Sequence, residues 1–214
     1  KKPALELQAA VDYDEAAFAQ TIGALFCMQS ANQKAPVDAA ISDYTGSGYE
    51  LVPAEYGTTL DEKAMKETIK NAVLVLAEEV DLEEEDCYVK PEIEDDNTKL
   101  LAAIDELNSY VKTKITYDFD VTKEVVDGET ISGWLSVDDG FHVSVDEEAV
   151  SAYVKELAGK YNTCYKPKTL KTSYGSTVTI NNGPYGWKIN NSEEVAQILE
   201  EIKEGKEVER EPVY

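Results

Sequence analysis

A single histidine, His142, stands among 214 residues, and that scarcity removes most nucleophile-base arrangements, because Ser-His and Cys-His chemistry needs an imidazole beside the nucleophile. Cysteine is nearly as scarce. Cys27, Cys87 and Cys164 lie far apart with no C-x-x-C, so spacing alone builds neither a zinc knuckle nor a thioredoxin-type pair. They read as small buried hydrophobes, although one bridge plus one free thiol also fits an odd count and leaves the redox compartment open. No apolar run approaches the ~20 residues that span a bilayer. The start Lys1-Lys2-Pro3 lacks the apolar stretch of a signal peptide, so export would require a targeting segment that has been trimmed away. Basic residues are outnumbered 20 to 43 by acids, for a formal charge of -23. A nucleic-acid backbone is bound through clustered Lys and Arg that release counterions, and no basic stripe of that kind is expected here. Anionic membrane surfaces are disfavoured for the same reason.

What is present suffices for a packed globular fold, at 43% hydrophobic content. Phe18, Ile22, Leu25 and Phe26 share one face at helical spacing and predict an amphipathic helix from about Asp14 to Met28. Two short β-like runs, Ala39 to Tyr44 and Tyr49 to Pro53, flank Thr45-Gly46-Ser47-Gly48 and predict a hairpin. After Tyr56-Gly57, Thr59 and Glu62 have capping-box spacing for a helix carrying Met65, Ile69, Val73 and Leu76, followed by a strand near Cys87 to Ile93. Leu100, Leu101, Ile104, Leu107 and Val111 form the apolar stripe of a connecting helix from Asp96 to Lys112. Ile115, Tyr117 and Phe119 then alternate with polar residues as a strand, Asp127-Gly128 signals a turn, and Phe141, Val143 and Val145 alternate again.

The pattern then returns. Asp146-Glu147 opens a helix with Val150, Tyr153, Val154 and Leu157, as Asp14-Glu15 opens the first. Thr169 to Tyr174 and Val178 to Ile180 flank Gly175-Ser176 as a hairpin, Tyr185-Gly186 stands where Tyr56-Gly57 stood, and Asn191 with Glu194 repeats the capping-box spacing. The expected fold is therefore α+β, with mainly antiparallel strands in two diverged helix-hairpin-helix-strand units packed together. Residues 1–112 would form the first unit with its connecting helix, and 113–214 the second, with 208–214 as an exit linker. Two copies are too few for a solenoid. The glycine of each Tyr-Gly pair permits a sharp strand-to-helix turn, while the tyrosine buries its ring and keeps its hydroxyl wet.

Reactive constellations are weak. His142 alternates between Phe141 and Val143 and fits the solvent face of a strand. Ser109-Tyr110-Val111-Lys112 matches S-x-x-K and Lys171-Thr172-Ser173 loosely follows K-T-G, but Ser109 falls at a helix end, away from backbone N–H groups that would activate it. A two-carboxylate hydrolase has too many candidate pairs to choose among. Acidic runs such as Glu83-Glu84-Glu85-Asp86 fit solvated loops, and Asp118-x-Asp120 lacks the glycine and terminal glutamate of an EF-hand loop. Asn190-Asn191-Ser192 fits a glycosylation sequon, with helix capping a sufficient explanation. No metal, cofactor or catalytic residue is expected. The 13 tyrosines and two tryptophans are more informative, since sugar rings stack on exposed aromatic faces. Tyr174, Tyr185 and Trp187 fall in one hairpin-turn segment and are the candidate platform for a glycan or peptide, although Trp187 with Ile189 also fits a core position.

Tyr161-Asn162-Thr163, Lys171-Thr172, the run Gly183-Pro184-Tyr185-Gly186-Trp187-Lys188-Ile189-Asn190 and the exit Arg210-Glu211-Pro212-Val213-Tyr214 together resemble a known family. It is the peptidoglycan-binding domain that precedes the catalytic domain of Gram-positive L,D-transpeptidases. Ala39 to Ser42 and Val52-Pro53-Ala54-Glu55-Tyr56-Gly57 are similar to it as well, in a pattern also met in vancomycin-resistance proteins of the W type. The likeness covers the chain from about residue 35 onward. Such enzymes use a cysteine in a Ser-His-Gly-Cys context with a second histidine to cross-link stem peptides, and none of the three cysteines here has that context. The resemblance thus implies a non-catalytic accessory module, exported to the wall side. By that likeness a catalytic domain would lie beyond Tyr214 and a membrane anchor before Lys1. Peptidoglycan is the implied partner, and a rigid spacer or docking stalk without a ligand is the alternative. A chain of charge -23 would be repelled by anionic wall polymers unless cations screen it.

Overall fold

The computed structural model describes residues 12–120, 122–181 and 183–214; the start Lys1-Lys2-Pro3 lies outside them. The architecture is α+β, with six α-helices and several small sheets among the described residues. Two compact units divide the chain. One takes the chain up to Ala40 together with Val52–Asp96, the other Ile41–Leu51 together with Asn97–Tyr214.

In the first unit, helix α1 (Glu15–Gly23) begins at Asp14, whose side chain accepts from Ala16 N and Ala17 N. It stops five residues short of the expected Met28. Leu25 is extended, and 3-10 turns follow at Phe26–Met28 and Ser30–Asn32. The polar residues beyond supply the reason: Asn32 Nδ2 donates to Phe26 O (2.9 Å) and Gln33 Nε2 to Cys27 O (2.8 Å), so side chains take carbonyls that a longer helix would use. Phe26, assigned to the apolar face by spacing, is 74% exposed.

Helix α2 (Glu62–Leu74) is capped by Asp61 rather than by Thr59, because Asp61 Oδ1 accepts from Lys63 N and Ala64 N. Thr59 Oγ1 donates instead to Lys34 O. Ile22, Leu60, Met65 and Cys87 form the buried core of this unit. The expected strand from Cys87 to Ile93 reduces to a bridge between Leu60 and Tyr88. Pro91 lacks an N–H for a ladder, and the N–H groups of Glu92 and Ile93 bond the Asp38 carboxylate. The expected hairpin is present as β1 (Ala40–Ile41) and β2 (Leu51–Val52), shorter than its apolar runs.

Besides Ile41–Leu51, the second unit contains α3 (Thr98–Val111), capped by Asn97 and burying Leu100, Ala103, Ile104, Leu107 and Val111 at the expected spacing. Strands β3 (Lys114–Asp118) and β4 (Lys123–Val126) pair antiparallel, α4 (Gly128–Ser132) follows with Asp127 as its cap, and β5 (Leu135–Val137) pairs antiparallel with β6 (Val143–Val145). Next come α5 (Glu147–Tyr161), the hairpin β7 (Lys168–Lys171) and β8 (Thr177–Ile180), α6 (Asn191–Glu204) and β9 (Glu207–Arg210). Strand β9 lies parallel beside β3, giving the order β4-β3-β9. Helix α6 ends at Gly205, whose left-handed backbone (φ 62) suits glycine. The core gathers Ile115, Tyr117, Val126, Ile131, Trp134, Val150, Val154, Leu157, Ile189, Ile198 and Ile202, and full burial of each such side chain is worth ~1.5–3 kcal/mol.

Glu194 does not close a capping box on α6. It is fully buried, and its carboxylate accepts from the Tyr117 hydroxyl, from Val213 N (2.6 Å) and from both terminal nitrogens of Arg210 (2.7 and 3.2 Å). The other side of the same guanidinium grips Glu201 through Nε (2.8 Å) and Nη2 (3.0 Å).

Both Tyr-Gly turns pack closely on backbone, but Gly186 has a positive φ of +139 and Gly57 does not. A Cβ on Gly57 would sit 2.1 Å from Lys34 O, and one on Gly186 2.7 Å from the backbone of Thr163 and Cys164. Thr58 N bonds Lys34 O, while Trp187 O receives Thr163 N. The residue before each following helix bonds the segment after it, Asp61 N to Cys87 O (2.8 Å) and Asn190 N to Val213 O (2.7 Å).

Candidate functional site

The β7–β8 hairpin is set by its register, Lys168 opposite Ile180, Thr169 opposite Thr179, Leu170 opposite Val178 and Lys171 opposite Thr177. Side chains alternate across a strand, so Lys168, Leu170, Val178 and Ile180 share one face, and threonines with Lys171 the other. Gly175, at φ +82, lets the connection turn. Leu170 is 53% exposed, and Val178 and Ile180 47% each. An exposed apolar face on a two-stranded ribbon is unusual, since such ribbons are marginal unless packed.

That face forms one wall of a groove of about 380 Å³ lined by Lys166, Lys168, Leu170, Ile180, Gly183 and Tyr185. Tyr185 is 83% exposed and is held from its own backbone: Lys168 Nζ donates to Tyr185 O (2.8 Å) and stands 4.6 Å from the ring centroid. Trp187 is also exposed, at 61%, but faces a different groove, of about 230 Å³. There its ring centroid is 4.9 Å from that of Tyr214, and Asp118, Asp120 and Glu211 line the same space. The Tyr214 hydroxyl is held above the usual phenol range, first by burial and then by the charges of Glu211 and Asp120. Tyr174 lies at the hairpin tip, the most exposed of the three at 95%, and lines neither groove. The three aromatic residues singled out by sequence are therefore all open to solvent. Tyr185 and Trp187, on either side of Gly186, serve separate grooves.

Aromatic content alone pointed to this segment and missed Lys166, Lys168, Leu170 and Ile180. The signal for them is one of charge. Residues 161–190 contain no aspartate or glutamate and four lysines, Lys166, Lys168, Lys171 and Lys188, in a chain with 43 acids. Among the described residues none of these four is in an ion pair. The strongly negative chain thus carries a locally positive, aromatic and apolar surface.

The groups with reactive potential lie elsewhere or are otherwise engaged. The His142 ring bonds Asp138 at 3.0 Å on an exposed loop, and the backbone N–H and ring of His142 hold the Asp138 carboxyl below its ordinary range. Cys164 Sγ donates to Pro184 O (3.1 Å), and the buried Cys87 Sγ lies 3.5 Å from Thr68 Oγ1. Ser109 is in the last turn of α3. Among the described residues no three His, Cys, Asp or Glu side chains are grouped to hold a metal ion.

Residues 88–209 match the family model described as "Putative peptidoglycan binding domain". Two solved structures are similar to part of the chain, each at 29% identity. One is the Ldtfm-avibactam carbamoyl enzyme, matched over 53% of this chain and 45% of that chain with a TM-score of 0.45. The other is a mutant of Enterococcus faecium L,D-transpeptidase, matched over 54% of this chain and 45% of that chain with a TM-score of 0.43. The chain therefore spans less than half the length of either. No curated protein matches it.

Proposed function

The chain belongs to the peptidoglycan-binding domain family, with more than half of its length inside residues 88–209, and from that premise we propose that it is a non-catalytic accessory module that holds peptidoglycan for a cell-wall L,D-transpeptidase. The observation that carries the reading is the acid-free segment 161–190, which leaves Tyr174, Tyr185 and Trp187 open to solvent and sets Tyr185 beside Lys168, a lysine in no ion pair among the described residues. Aromatic faces supply sugar-stacking surface at small conformational cost, and the lysines relieve the repulsion that the net charge of -23 would impose on an anionic wall. In this reading the protein works outside the cell on the wall side, tethered in its full-length form by an N-terminal anchor, with the catalytic domain following Tyr214. Among the described residues no helix is long and apolar enough to cross a membrane.

Titration of the purified chain with muropeptides, followed by calorimetry and by ¹⁵N chemical shifts, tests the reading. Binding in the micromolar to millimolar range should move the indole signal of Trp187 and the amides around Tyr185, while unchanged spectra at millimolar ligand would refute it. A second reading, a stalk that orients the catalytic domain without binding wall, is favoured by one feature: Glu194 and Arg210 clamp the exit segment, with Val213 bonded through both its N–H and its carbonyl. Under that reading, deleting the chain changes the reach or stability of the transpeptidase while muropeptide affinity stays the same. We further propose that residues 34–90 and 163–214 descend from one ancestral segment, a reading supported by the close approach of backbone at both Gly57 and Gly186; an experimental structure in which the two segments fail to superimpose would remove that support.

A further inference from the structure

On the reading that the chain binds peptidoglycan, we propose that the open face of the β7–β8 hairpin receives a free carboxylate of the peptide-substituted glycan, with Lys166 and Lys168 meeting the anion and Leu170, Ile180 and Tyr185 meeting the adjoining apolar part. The charge distribution comes first. One residue in five is acidic over the whole chain, so the thirty residues 161–190 would hold about six acids at that frequency, and they hold none. The segment's four lysines make it a positive island, and exposed charges act over roughly a Debye length of ~8 Å at physiological salt. A ligand seated on the hairpin therefore meets lysines and no acid of its own segment.

The second argument is shape. The 380 Å³ groove is lined by Leu170, Ile180, Gly183 and Tyr185 together with Lys166 and Lys168, and its surface is mainly apolar. Lys168 Nζ is already fixed by Tyr185 O (2.8 Å) and Lys166 Nζ by Gly159 O (3.2 Å), and each ammonium retains further N–H donors. A short branched group with an apolar stem and a terminal carboxylate satisfies both walls. A long polyanion does not, because any length running past the hairpin leaves the acid-free segment of a chain with 43 acids. Free carboxylates on a peptide side branch are the form of negative charge in peptidoglycan that ends within such a distance.

The test uses the purified chain and a disaccharide-tripeptide fragment of peptidoglycan, in parallel with the same fragment amidated at its carboxylates. Amidation should weaken binding roughly threefold to tenfold, and K166Q/K168Q should weaken the unmodified fragment by the same factor, as expected for two exposed charge contacts. In K166Q/K168Q the two fragments should bind equally, which a merely structural role of the lysines would not produce, and unchanged thermal unfolding would show the hairpin intact. If the fragment binds and shifts Tyr185 but amidation changes nothing, the carboxylate assignment falls while peptidoglycan binding stands. If neither fragment binds at millimolar concentration, both fall. Tighter lysine-dependent binding of a phosphate-bearing wall polymer, or self-association abolished by K166Q/K168Q in sedimentation, would give the face to a different occupant and overturn the proposal.

Discussion

Replacing Arg210 by methionine should destabilise the second unit by about 3–5 kcal/mol, the range for removing one partner from a buried charge cluster. The cluster holds one guanidinium between two carboxylates. Glu194 is fully buried, Glu201 is 6% exposed, and the Arg210 side chain is 15% exposed. Arg210 makes paired contacts to each carboxylate. Without it, Glu194 keeps the Tyr117 hydroxyl and Val213 N, whereas Glu201 keeps only Gln197 Nε2 at 3.2 Å. Two negative charges then share a core with no cation. For a unit of this size the loss corresponds to a drop of roughly 10–20 °C in unfolding midpoint. Arg210→Lys should recover only part of it, because one ammonium cannot present a planar fork to two carboxylates. Adding Glu194→Gln to Arg210→Met should restore part of the loss by removing one stranded charge. Urea unfolding at pH 7 measures the first effect. A loss below about 1 kcal/mol would place the cluster among exposed ion pairs and refute this account of the core.

Gly186→Ala should cost upwards of about 2 kcal/mol, because the new Cβ would press on the backbone of Thr163 and Cys164 at a φ of +139; denaturant midpoints read this directly, and Gly57→Ala should behave likewise against Lys34 O. Tyr185→Ala should change stability by less than about 0.5 kcal/mol, as at other exposed surface positions, while weakening muropeptide binding severalfold in calorimetry. Asp146→Ala removes acceptors for Glu148 N and Ala149 N and should cost about 1 kcal/mol, seen as a lowered urea midpoint. Burial, and then Glu106, pushes the Tyr110 hydroxyl up to about 12, and burial also raises Tyr117 and Tyr153. A raised phenol stabilises the fold below its unfolded value near 10 and loses that contribution as pH climbs through the folded value, so stability should decline between pH 10 and 12; equilibrium unfolding followed together with tyrosinate absorbance checks the sign.

The helices of the second unit were legible because their cores are periodic: Leu100, Ile104, Leu107 and Val111 on α3, and Val150, Val154 and Leu157 on α5, are all buried where spacing put them. Legibility failed where one side chain had two uses. The motif that pairs Asn191 with Glu194 describes a cap, yet Glu194 is spent on Arg210, a partner sixteen residues away that no local pattern reveals. Thr59 likewise lost the capping role to Asp61, whose carboxylate reaches two N–H groups. The strand expected from Cys87 to Ile93 has the right composition, but Pro91 and the competing carboxylate of Asp38 take its hydrogen bonds. For the candidate site, aromatic residues found the segment and the missing acids would have found its boundaries. Which aromatics share a groove depends on the direction taken at Gly186 and could not be read from spacing.

The parallel pairing of β9 with β3 ties Lys114 to Glu207 and Tyr117 to Arg210, contacts separated by more than ninety positions along the chain. Such a ladder is entropically late: both ends must be in hand before any of its bonds can form. A nascent chain emerging from the ribosome can shape the α5 helix and the β7–β8 ribbon early, but its central three-stranded layer stays one strand short until residue 210 has cleared the exit tunnel. The central layer of the second unit is consequently completed only when β9 arrives, and any partner acting before then meets β3 with one edge unpaired.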